Sequence, residues 1–281
     1  MSPRDLDEHV DTVIDRRIDK RRLKFKDKDM IETVEEVFDS FTLESLYRVM
    51  RHTGIRRLYG VVSAGKEARV YRAVDSRGNE YAVKIYLTFT SEFKKGIWKY
   101  IMGDPRFENA RITSTKSLMY LWARKEFKNL KKMYSAGVRV PRPVYGYNNI
   151  VVMEFIGKDG RRAPLLKEIT VRGREALSLL EKILNNVILI YCKAKLVHAD
   201  LSEFNIMVPH ADEVVIIDVA QAVSIEHPNS DMFLYKDVEN MHRYFTREAN
   251  LNLKPPEFIL EVIKQCPTRF SVEDILATSS S

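Results

Sequence analysis

No apolar run in this 281-residue sequence approaches the roughly 20 residues that a bilayer-crossing helix needs, so no membrane-spanning segment is expected. The opening residues, MSPRDLDEHVD, are acidic and basic by turns and do not read as a signal peptide. Cysteine is scarce. Cys192 and Cys266 lack CxxC spacing, which argues against a disulfide framework and predicts two plain buried thiols in a reducing cytoplasm. Glycine is thin as well, 11 in all, and no three are set as GxGxxG. There is no internal repeat and no low-complexity tract. What remains is an ordinary globular composition, 45% hydrophobic and 30% charged, long enough for one large domain or two modest lobes sharing a cleft.

The formal net charge is +7, and its excess is local. Between Glu92 and Lys132 there are eleven Lys and Arg against four Asp and Glu, a surplus equal to that of the whole chain. Such a segment favours an anionic partner, either nucleic acid or an acidic protein face. A solvated helix face plus a loop would read the same way.

Along the chain, residues 1–30 are dense in charge and poor in apolar side chains, as in a surface helix or arm. Helical spacing runs from Met30 to Met50, and TLESLYRVMRHTG ends at Gly54 as a C-terminal cap. Three runs rich in Val, Tyr and Ile between residues 56 and 87 predict an antiparallel meander. Residues 88–114 show no clear period. A long helix is expected from about Ser117 to Ser135, then a hairpin turning at Asn148-Asn149. A mostly buried helix follows over 172–195, then a short strand, EVVIIDV, and two or three helices. The order predicts an α+β fold: a small antiparallel lobe with one long helix, a connector, and a mainly helical lobe. A ligand cleft would lie between them.

Four features fall at the edges of that cleft. The turn SAGKEARVY brings backbone N–H groups and Lys66 to one place, suited to phosphate, although hairpins with one Gly are common. Lys84, in the strand YAVKIY, must reach solvent or a buried anion, and Glu126 on the long helix is its possible partner. In VHADLSEFNIMV, Asp200 could orient or deprotonate a hydroxyl and Asn205 could bind a hard cation. Asp218 ends the apolar run VVII, where a turn former or a metal ligand would each fit.

Together, H-x-D-x-x-x-x-N, the following strand and its Asp resemble the catalytic and metal-binding loops of protein kinases. The segments Ser63–Tyr71, His198–Asn205, Ile217–Val223 and LWARKEFKNL resemble the atypical RIO kinases, most of all their first branch. The resemblance runs from about Phe41 to the C-terminus. Ser202 stands where many protein kinases carry Lys, and Val219-Ala220 replaces Phe-Gly.

The resemblance implies a bilobal kinase-like fold without an activation segment or peptide-binding helices. Its implied divisions are an N-terminal helical extension over 1–55, an N-lobe over 56–155 with a flexible loop at about 88–116, and a C-lobe over 156–281. The implied activity is ATP-dependent serine/threonine phosphorylation, including autophosphorylation, in small-ribosomal-subunit maturation. Lys84 would contact the α- and β-phosphates and be held by Glu126, Asp200 would serve the attacking hydroxyl, and Asn205 and Asp218 would hold Mg²⁺ or Mn²⁺. Ser63 and Lys66 would touch phosphates, Val70 would join the nucleotide site, and Met153, Glu154 and Ile156 would form the hinge around adenine. His198 would be a structural support. Contact with pre-ribosomal particles or rRNA would run through 92–132. Apart from the resemblance, residues 88–116 read as a loop over the cleft with Thr113, Ser114, Thr115 or Ser117 as autophosphorylation sites, and equally as a passive surface loop with solvating hydroxyls. Two other readings stay open: an ATPase-driven switch with an aspartyl-phosphate at Asp218, and a small-molecule phosphotransferase.

Overall fold

The structure is a computed structural model, and it describes residues 39–277 except 66, 88–90, 212 and 269, with backbone alone for 91–93. Lys66, and most of the N-terminal helical extension, lie outside the described residues.

Helix α1 (Ser40–Thr53) starts where the Asp39 side chain accepts the Thr42 N–H and stops at Gly54, whose φ of 74° is left-handed. Strands β1 (Ile55–Ala64), β2 (Ala68–Asp75) and β3 (Glu80–Tyr86) form the expected meander. Helices α2 (Ser91–Trp98) and α3 (Thr115–Ser135) follow, then the hairpin of β4 (Pro143–Tyr147) and β5 (Ile150–Glu154). The five strands make one antiparallel sheet in the order β1-β2-β3-β5-β4. The β4–β5 hairpin turns at Asn148, which takes φ 48°. Gly146 lets β4 approach α3, since a Cβ there would sit 2.7 Å from the Phe127 ring.

The sheet has two different faces because side chains alternate along each strand. On β3, Val83 and Ile85 join Leu46 and Val49 of α1 in one core, while Ala82 and Tyr86 join the core beneath α3. Lys84 shares the parity of Ala82 and Tyr86. It therefore projects toward α3 rather than toward α1.

The second half begins with a small hairpin of β6 (Gly157–Lys158) and β7 (Arg161–Arg162). Helix α4 (Gly173–Ile188) runs into a π turn, Leu189–Lys193. Then come β8 (Leu196–Val197), the hairpin of β9 (Ile206–His210) and β10 (Glu213–Ile216), and β11 (Val223–Ser224), which pairs with β8. Helices α5 (Ser230–Arg247) and α6 (Pro256–Lys264) follow, α6 starting with Pro at its first turn.

Two expectations need correction. Residues 88–114, expected as irregular chain, carry α2, and Ile97, Tyr100, Ile101 and Phe107 are buried. An eight-residue helix followed by tight turns is too short to show a helical period. Cys192 and Cys266 are not plain thiols but a disulfide, linking the π turn after α4 to the end of α6. Packing of α6 beside that turn brings two Cα atoms 74 residues apart to 5.6 Å, which sequence spacing does not reveal. The inference of a reducing compartment, which rested on unpaired thiols, loses its basis. Among the described residues no helix is long and apolar enough to cross a membrane.

Candidate active site

Three ionisable groups from distant parts of the chain meet at Lys84. Its Nζ lies 2.8 Å from Glu126 Oε1 on α3 and 2.9 Å from Asp218 Oδ1, two residues past β10. Tyr86, next on the same face of β3, donates its hydroxyl to the other Glu126 oxygen at 2.6 Å. Burial alone would drive the Lys84 proton off, yet Asp218 and Glu126 outweigh it and hold the ammonium well above its ordinary pKa. Burial likewise pushes Asp218 up, and Lys84 more than offsets it, leaving that carboxyl low. Burial also raises Glu126, against the pull of Lys84.

The opposite wall is the turn between β8 and β9. Asp237 on α5 is 2% exposed and accepts the N–H groups of Ala199 (2.8 Å) and Leu201 (2.7 Å), one with each oxygen. This holds Ala199 at φ 68°, a conformation that costs a non-glycine residue about 1–3 kcal/mol and so needs such restraint. Asp200 stands between the two restrained amides. His198 is buried, its Nε2 lies 3.2 Å from the Ile217 carbonyl, and burial pushes its pKa down to about 4. A neutral ring tying this turn to the Asp218 strand fits the structural support expected of it.

Asn205 Nδ2 donates to the Asp200 carbonyl (2.8 Å) and to Asp200 Oδ2 (3.2 Å), and Gln221 Nε2 donates to the same Oδ2 at 3.0 Å. With its amide nitrogen so engaged, Asn205 has its oxygen as the atom it can offer a cation. That oxygen and Asp218 Oδ2 are hard donors of the kind Mg²⁺ or Mn²⁺ takes when substrate phosphates complete the shell. The residues fit such an ion.

Burial, with repulsion from Asp218 added, pushes Asp200 up to about 6, while the Asn205 bond and nearby Lys99 hold it down. Between its unfolded value of 3.8 and about 6 the folded protein keeps a proton the unfolded chain has lost. The contribution of Asp200 to stability therefore declines as pH rises through that window. A carboxyl-carbon NMR titration of the ligand-free protein should give Asp200 a midpoint near 6, and Asp218→Asn should lower it. An unchanged midpoint in that variant would contradict the coupling of the two carboxylates.

The other residues singled out in the sequence take varied places. Val70 pairs with Lys84, and Met153 with Ala82, so both lie on the cleft face of the sheet. Ser63 is exposed near the end of β1, at the turn closed by the Gly65 N–H on the Ala68 carbonyl (2.9 Å). The Glu154 carboxylate is engaged with Arg139 (3.0 Å), and the Ile156 carbonyl accepts the Ala163 N–H (2.9 Å). Sequence reasoning missed Tyr86, Asp237 and Gln221. Tyr86 and Asp237 did leave signals: a hydroxyl two residues from Lys84, and a lone carboxylate among Phe233, Leu234 and Val238.

A family model described as "RIO domain" matches residues 69–258. The RIO-type serine/threonine-protein kinase Rio1 of Haloferax volcanii is 37% identical over 236 residues, covering 84% of this chain and 79% of that protein. The human serine/threonine-protein kinase RIO1 is 37% identical over 247 residues, 85% of this chain and 43% of its own length. For the Caenorhabditis elegans RIO1 kinase the match takes in 54% of that protein, so the chain spans about half of these two longer relatives. Among solved structures, the Rio2 kinase–ADP/Mg²⁺–phosphoaspartate complex from Chaetomium thermophilum superposes with a TM-score of 0.63 at 21% identity, covering 84% of this chain and 69% of that one. That likeness establishes the shared kinase-like fold.

Proposed function

The chain belongs to the RIO family of atypical serine/threonine protein kinases, and from that premise we propose that it transfers the γ-phosphoryl of ATP to a protein hydroxyl, its own included. The observation that carries the reading is Lys84 held between Glu126 and Asp218, facing a restrained Asp200. Lys84 binds the α- and β-phosphates, and Glu126 fixes its ammonium. Asp200 orients the attacking hydroxyl and accepts its proton as the bond from that oxygen to the γ-phosphorus forms and the bond from the γ-phosphorus to the β–γ bridging oxygen breaks, ADP being the leaving group. Asn205 and Asp218 hold Mg²⁺ or Mn²⁺, which supplies neutralisation of charge on the transferring group. Val70 and Met153 flank the base. Ser63 and Lys66 reach the phosphates. At the hinge, the Glu154 carbonyl and the Ile156 N–H are the groups left to meet adenine, because the Glu154 N–H already donates to the Arg142 carbonyl and the Ile156 carbonyl accepts the Ala163 N–H.

A second reading has a specific basis. Asp218 Oδ1 is taken by Lys84, which leaves Oδ2 as the second oxygen of a half-exposed side chain, and the Rio2 neighbour was solved as a phosphoaspartate complex. In that reading Oδ2 attacks the γ-phosphorus, the bond to the β-phosphate oxygen breaks, and water later hydrolyses the acyl phosphate. The family match gives the small-molecule phosphotransferase reading no support.

The proposed setting is maturation of the small ribosomal subunit. It rests on the family resemblance, and the basic segment 92–132, of which Lys128, Lys131 and Lys132 line an open groove of about 510 Å³ with Lys193, adds mild support. Of the proposed autophosphorylation residues, Ser114 and Ser117 already cap α3 through their hydroxyls, and Thr115 accepts from Lys94 at 2.6 Å. Thr113 is the remaining choice.

Turnover of labelled ATP with Mg²⁺, with and without small-subunit particles, separates the two readings. Acid-stable phosphoserine or phosphothreonine at a rate indifferent to particles supports the kinase. Particle-stimulated phosphate release through an acid-stable but hydroxylamine-labile protein phosphate supports the switch.

A further inference from the structure

The turn that follows Asp218 is held by its backbone. Asn129 Nδ2 donates to the carbonyls of Val219 (2.8 Å) and Ala222 (3.0 Å). Lys125 Nζ donates to the carbonyls of Ala220 (2.9 Å) and Ala222. Arg106 adds a third donor to Ala222 (3.1 Å), and its other Nη donates to Asn129 Oδ1 at 2.7 Å. Asp104 grips the Arg106 guanidinium through Nε (2.9 Å) and Nη2 (2.6 Å). Asp104, Lys125 and Asn129 are each 0% exposed.

Burying this many polar and charged groups costs several kcal/mol unless each is satisfied, and an apolar filling would join the same elements. That cost is incurred at one short turn, behind one residue. Asp218 has φ 56°, which a residue with a Cβ keeps only where its surroundings over-determine it. Adjacent residues of α3 act on it from two sides. Glu126 reaches its carboxylate through Lys84, while Lys125 holds the backbone behind it.

We propose that Lys125, Asn129 and Arg106, the last oriented by Asp104, form a clamp that positions Asp218, so that α3 and the Asp218 turn move as one body. None of the three touches the reacting groups. They are positioning residues, and the loop at 104–106 thereby becomes part of what aims the metal-binding carboxylate. The inference rests on the role proposed above for Asp218.

The test uses the full chain with ADP. Free Mn²⁺ read by EPR should show affinity weakened about tenfold or more in Arg106→Ala and Lys125→Met, the range that outer-shell supports of metal ligands command. ADP binding without metal should change less than about twofold, because Lys84 and Glu126 remain paired. Amide hydrogen exchange at 219–223 should quicken about tenfold while α3 keeps its protection. Arg106 is partly exposed, so Arg106→Ala carries the test if Lys125→Met fails to fold. A folded Arg106→Ala with unchanged exchange and unchanged Mn²⁺ affinity would overturn the clamp. Wild type that binds no Mn²⁺ with ADP would instead overturn the metal role of Asp218, and the exchange measurement would still decide the clamp.

Discussion

Asp200→Ala is expected to lower phosphoryl transfer by about 10³-fold while ATP affinity stays within a few-fold, in the range that removal of a positioned acid–base group commands. The split follows from geometry. In the proposed mechanism the triphosphate's electrostatic contacts would come from Lys84 and the ion that Asn205 and Asp218 would hold, whereas Asp200 would address the incoming hydroxyl. Removing a carboxylate that Asp218 repels should also ease nucleotide binding slightly rather than weaken it. Single-turnover transfer from labelled ATP and equilibrium nucleotide binding measure the two halves separately. Near-normal transfer in the variant would remove Asp200 from the chemistry and leave Asp218 as the group to pursue.

Lys84→Met should lower transfer by about 10²-fold or more and also be costly to the fold. It strands Glu126, whose side chain is 2% exposed, with the Tyr86 hydroxyl as its remaining donor among the described residues. Breaking one side of a buried pair costs about 3–5 kcal/mol, because the remaining charge has no water. Glu126 would respond by taking up a proton, so the loss should be greatest at neutral pH and shrink toward acid. The double variant Lys84→Met, Glu126→Leu removes both charges and should recover part of that stability, with no recovery of transfer. Denaturant midpoints across pH check this. A single variant as stable as wild type would show that water reaches Glu126 and that the pair is not buried in solution.

The elements were legible where one period or one residue dominates. The meander, the long helix and the Asn148 hairpin all follow from local pattern. Lys84, Glu126, Asp200, Asn205 and Asp218 were legible because their spacing is characteristic as a set, though each alone is ambiguous. What stayed hidden are bonds from side chains to distant backbone. Asp237 serves amides more than 30 residues away, and Lys125 serves carbonyls more than 90 away. A carbonyl has no residue type, so no motif records which one a side chain will find. Lys125 reads as one more helical lysine in a basic segment, yet burial pushes its pKa well down. The disulfide was hidden for the related reason that two cysteines have no pattern to display.

The alternation along β3 bears on which insertions this chain can absorb. Lengthening β3 by two residues ahead of Lys84 would preserve the side of the sheet on which the ammonium emerges. Lengthening it by one would deliver Lys84 into the apolar seam under α1 and present Val83 or Ile85 to the face where Glu126 and Asp218 lie. What this strand must conserve to keep Lys84 beside Glu126 and Asp218 is thus an odd-or-even count, which no substitution scan would reveal and a series of graded insertions would.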